Sequence, residues 1–152
     1  MKKISIVAAA AVLAATAAPA YADTQTGDLN VSLNVVKGCS LDMPAGLDFG
    51  AKTIVGGGTG ASANATVNVT CTTGTSYTLS ANNGLNASGA QRRLSSGGGT
   101  PVFVNYSLTF PTATQTANGN PQGQTFTGDI ASTVSAVPVG IYTDKVTVTL
   151  TF

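Results

Sequence analysis

The last eleven residues alternate with period two. Tyr142, Val146, Val148, Leu150 and Phe152 fall on one side, and Thr143, Lys145, Thr147, Thr149 and Thr151 on the other. Successive side chains of a strand point to opposite faces, so this pattern specifies β structure with one buried face. The same alternation recurs upstream. Leu29, Val31, Leu33 and Val35 face away from Asn30, Ser32 and Asn34, and Val67, Val69 and Cys71 form another face, as do Tyr77, Leu79 and Ala81. Val102, Val104, Tyr106, Leu108 and Phe110 mark a long strand closed by Pro111. Shorter strands are expected around Cys39–Met43, at Leu47–Gly50 as strand or corner, near Arg92–Leu94 and near Phe126–Ile130. Gly56–Gly58, residues 85–100 and residues 112–124 read as loops. Glu is absent and Thr and Val are abundant, which disfavours helix. Seven or so short strands with Gly/Asn turns predict an all-β, immunoglobulin-like β-sandwich.

Two features of that sandwich are unusual. The strand at Leu29–Val35 precedes Gly38 and lies outside the loop that a Cys39–Cys71 bridge would close. The terminal strand runs to Phe152 with no later segment to cover its edge. An uncovered flat edge invites pairing, by the N-terminal strand folding back or by another chain. From the pattern alone, pairing within the chain is the simpler reading.

The N-terminus predicts export. Met1-Lys2-Lys3 is basic, Ile4–Ala18 is apolar, and Ala20-Tyr21-Ala22 offers a small-x-small cleavage site. Cleavage is expected after Ala22, with Ala20 the alternative. The mature chain of about 130 residues is the size of one domain. In an exported protein the even pair Cys39 and Cys71 reads as a disulfide. With no His and no further Cys, a Cys-ligated metal is a poor alternative.

Losing Lys2 and Lys3 leaves five basic residues against six Asp, a net charge near −1. That gives no electrostatic footprint for nucleic acid. Charges are sparse for a soluble domain, which suits a surface that packs on copies of itself. The absence of His and Glu excludes Ser-His and Cys-His nucleophile systems and leaves only scattered Asp for acid–base work. No enzyme, cofactor or metal site is expected. The glycine runs at 56–58 and 97–99 lack the Lys-Ser/Thr of a phosphate loop, and Arg92-Arg93 reads as a solvated loop. A final Phe after alternating residues is also compatible with a small outer-membrane β-barrel, though the aromatics are too few for two girdles and the expected strands are short and loop-separated.

The segment Thr26–Val35 with Gly38-Cys39-Ser40-Leu41, then Leu47-Asp48-Phe49-Gly50, Val67–Cys71 and the ending Gly140–Phe152, resembles subunits of archaic chaperone–usher pili, the Csu-type pilins of the spore coat protein U family. Residues 82–125 carry no quotable motif. The resemblance implies an incomplete sandwich whose missing strand is donated by another subunit, with a periplasmic chaperone filling the groove first and an outer-membrane usher catalysing the exchange. It reverses the simpler reading above. Residues 1–22 would be the signal peptide, 23–37 the donor segment and 38–152 the pilin domain. Leu29, Val31, Leu33 and Val35 would be the donor plugs. Val146, Val148, Leu150 and Phe152 would edge the acceptor groove and chaperone-binding strand, the carboxylate of Phe152 held by basic chaperone residues. The product would be a homopolymer or mixed pilus on the bacterial surface, serving adhesion and biofilm formation. The alternative is a secreted, self-complemented coat-type or binding protein of the same fold.

Overall fold

The computed structural model describes residues 22–43, 46–54, 60–132 and 135–152. All of the expected signal peptide except Ala22 lies outside them, as do the Pro44–Ala45 turn and the Gly56–Gly58 loop. The chain divides into two compact units, Met1–Asn34 and Val35–Phe152. In the first unit, described residues 22–34 carry no strand, and Leu29, Val31 and Leu33 are 85–86% exposed.

The second unit is all-β. Its strands are β1 (Cys39–Asp42), β2 (Ala61–Cys71), β3 (Ser76–Ala81), β4 (Arg92–Ser95), β5 (Phe103–Thr109), β6 (Gln115–Thr116), β7 (Gln122–Ile130) and β8 (Val148–Thr151). They form two sheets, β1-β2-β7-β5-β4 and β6-β3-β8, with every pairing antiparallel. A barrel closes one sheet on itself; the described strands instead leave edges on both sheets, as a sandwich does.

The longest ladder joins β2 to β7, from Ala61↔Ile130 to Val69↔Gln122. Inward Val67, Val69 and Cys71 meet Tyr77, Leu79 and Phe126 in one buried cluster, and Ala61, Val104, Tyr106 and Ile130 form a second. Phe110 stacks on Phe126 at 4.9 Å. Buried Tyr77 keeps its hydroxyl satisfied, accepting from Gln124 Nε2 at 3.2 Å and donating to Gln122 Oε1 at 3.4 Å.

Cys39 lies directly opposite Cys71 in the β1–β2 ladder, and the two form the expected disulfide. The terminal strand is shorter than its alternation predicts, because only Val148–Thr151 pairs with β3. Upstream, residues 143–147 are held by the loop before β4 and by Ser95 at the end of β4 instead. Thr143 and Ser95 exchange two backbone bonds, Leu85 N–H donates to Lys145 O, and Asn82 bonds Thr147 through both backbone and side chain. The chain's last ten residues thus pass from the edge of one sheet to the edge of the other.

Candidate functional site: an open apolar groove

The second unit has two ends. Cys39, Cys71 and Ser76 lie at one, here the upper end, and Thr151 reaches it by pairing with Thr78. Ala61, Ala81, Ser95, Ile130 and Val148 mark the lower end. The three-stranded sheet covers the larger sheet only toward the upper end. Below it, an apolar groove stays open.

The floor of this groove is Ala65, Val67, Tyr106, Leu108 and Phe126; one wall is Met43 with Leu47 and Phe49, the other Asp144 to Val146 with Val148. This part encloses about 310 Å³. It is continuous with a wider mouth of about 1050 Å³ at the lower end, over Ala61, Val104 and Ile130, framed by residues 46–54 and 137–144. Gly46, Leu47, Phe49, Leu94 and Asp144 border both parts. Val146, Val148 and Leu150 are only half-buried although they pack on core clusters. A sandwich that leaves these residues half in water has not covered its core.

The Leu47–Phe49 wall is positioned by a glycine. A Cβ at Gly128, in the middle of β7, would come within 2.8–2.9 Å of Leu47 Cδ atoms and Phe49 Cζ. Glycine inside a strand often marks such a close approach; the sequence predicts a strand or corner at Leu47–Gly50 but does not single out Gly128 as its support. Asp48 caps the corner by accepting from Gly50 N–H at 2.8 Å. Gly128→Val should therefore push both side chains outward, with a loss of about 1–3 kcal/mol. A lower Tm and an altered near-ultraviolet aromatic signal are the readouts.

The opposite wall is fixed by Asp144. Its carboxylate accepts from Tyr106 O–H at 2.7 Å, from Asn86 N–H at 3.1 Å and from Asn86 Nδ2 at 3.2 Å. Gly84, at φ 85°, lies against the same carboxylate, where any side chain would collide. Burial, and then the bond to Asp144, push the Tyr106 hydroxyl well above its ordinary range, so it stays a donor.

Arg92 and Arg93 are not a solvated loop. They sit in β4, where Arg92 donates to the Ala81 and Asn82 carbonyls and Arg93 to those of Asn86 and Ala87. Arg93 also lies 4.0 Å from the Phe103 ring centroid. Both brace the loop that holds residues 143–147.

Of the sequence-predicted site residues, Val146 and Val148 line the groove, Leu150 packs on the upper cluster, and Phe152 is exposed. Leu29, Val31, Leu33 and Val35 are all exposed. The stub that follows them is anchored at the upper end. Thr72 N–H donates to Gly38 O at 2.9 Å, and Thr72 Oγ1 donates to Val36 O at 3.3 Å. Among the described residues no cluster of three or more Cys, Asp or Glu could hold a metal ion, and no helix is long and apolar enough to cross a membrane.

A family model described as the Spore Coat Protein U domain matches residues 25–149. Among solved structures, the chain is similar to a chain in the crystal structure of the CsuC–CsuE chaperone–tip adhesion subunit pre-assembly complex from archaic chaperone–usher Csu pili of Acinetobacter baumannii. Identity is 21% and the TM-score 0.49; the match covers 78% of this chain and 40% of that one. This chain thus spans less than half the length of that neighbour. No curated protein matches it.

Proposed function

The chain belongs to the Spore Coat Protein U domain family, and from that membership we propose that it is a structural subunit of a chaperone–usher pilus, polymerised by donor-strand exchange. One observation carries the reading. A single chain holds both an apolar groove that its own strands leave open and an exposed segment whose apolar residues alternate as a groove-filling strand requires. Strand addition supplies main-chain hydrogen bonds along the edge of β8, and alternate side chains fill the groove in order.

The topology favours a neighbour as donor. The chain's own segment leads to Cys39 at the upper end, so within one chain it could run beside β8 only in the parallel sense. A second copy can enter antiparallel, the slightly more stable pairing. Its body then sits at the lower end, while the acceptor sends its own segment out from the upper end. Such head-to-tail contacts build an open filament. Seven residues, Leu29–Val35, span about 20 Å as a strand, shorter than the stretch from Tyr142 to Thr151. On this reading a periplasmic chaperone holds the groove before assembly, an outer-membrane usher exchanges it, and the fibre serves adhesion and biofilm formation at the cell surface.

Deleting residues 23–35 from the exported chain tests the reading. The truncated subunit should keep its fold when its groove is occupied in trans, and should form no fibres. Fibres of unaltered length would sink the proposal. Loss of the fold even with the groove filled in trans would favour the self-complemented alternative.

A further inference from the structure

We propose that a second contact, outside the groove, joins neighbouring copies: Val36 of the donor packs against the Val139–Ile141 ridge of the acceptor. This rests on the donor-strand reading and adds a place and a partner to it.

The donor pattern itself raises the question. On the face opposite the plugs, Asn30, Ser32 and Asn34 are polar, as an outward face should be. The next residue on that face is Val36, which breaks the rule and is 69% exposed in the single chain. No plug role explains it, because period two turns it away from the groove.

The acceptor carries a matching anomaly. Val139 and Ile141 are 107% and 83% exposed, yet their neighbours Val137 and Tyr142 pack inward on the lower cluster. The ridge is held in shape, because Tyr142 O–H donates to Pro138 O at 2.8 Å and Thr143 bridges Ser95. It frames the lower mouth of the groove. A donor antiparallel to β8 places Val35 toward that mouth and brings Val36 out of it, at the rim that residues 139–141 frame. Two exposed apolar groups, one from each copy, then bury each other where the linker emerges.

The test uses the full chain exported by its own host, with a photo-crosslinking benzoylphenylalanine at position 141. Irradiated fibres should yield crosslinks to residues 35–38 of a neighbouring copy. Val36→Asp and Ile141→Asp should each still polymerise but shorten at least twofold under shear, and Val36→Lys combined with Ile141→Asp should restore length. Fibres with no such crosslink, or without rescue by the charge pair, overturn this contact alone. Failure of the unmodified chain to form any polymer overturns the donor-strand reading and this contact with it.

Discussion

Replacing Cys39 and Cys71 together by serine is expected to cost the folded subunit about 3–4 kcal/mol, the chain-entropy value for closing a loop of this length. In a domain of this size that corresponds to a fall in Tm of about 10 °C or more. The effect should be unusually damaging here, for two reasons rooted in the fold. First, among the described strands none opposes the lower half of the core, so a subunit with an empty groove has less buried apolar surface to draw on. Second, β1 is an edge strand of only four residues, and the bridge ties its first residue to the end of β2. Without it, β1 and the stub held by Thr72 can fray together, and Leu41 leaves the upper cluster. Thermal unfolding of the double variant with and without an occupied groove checks the prediction. Filling the groove should recover much of the loss, since a ligand that binds only the folded state stabilises it. A Tm within two or three degrees of the parent in both states would show that the disulfide contributes little.

Much of this architecture is legible in alternation alone. Cys39–Asp42, Tyr77–Ala81 and, from Val104 on, Phe103–Thr109 form strands because apolar and polar residues alternate there. The pattern is weaker where small or polar side chains face inward. The first half of β2 alternates Ala61, Ala63 and Ala65 with Ser62, Asn64 and Thr66, a contrast too slight to read as a buried face. Likewise β7 begins at Gln122 inside an expected loop, because Gln124 is buried through its bond to Tyr77 and not through hydrophobicity. At residues 142–147 the error is in the other direction. The alternation is strong, but Asp144 accepts from Asn86 N–H and Thr147 N–H donates to the side chain of Asn82, which keeps those residues out of a ladder. Long-range polar contacts of this kind leave no periodic trace. The groove follows the same division: Val146 and Val148 are legible as an alternating face, whereas the Leu47–Phe49 wall depends on Gly128, eighty residues away in the chain.

A charge scan along residues 29–35 should give an alternating result. On the donor-strand reading, single Asp substitutions at Leu29, Val31, Leu33 and Val35 would place a carboxylate in an apolar groove, where burying an unpaired charge is prohibitive, and the strand should be rejected. Substitutions at Asn30, Ser32 and Asn34 face outward and should leave polymerisation close to that of the parent. None of the seven should change the stability of the single subunit by more than about 0.5 kcal/mol, because all seven side chains are exposed there. That separation is what makes the scan decisive. An assembly defect confined to odd positions, with unaltered subunit Tm, has no origin in the fold of one chain. The register follows from the same data. A slip of one residue inverts every side chain, so defects at 30, 32 and 34 would mean that the polar face enters the groove. Defects of equal size at all seven positions would mean that the segment does not bind as a strand at all.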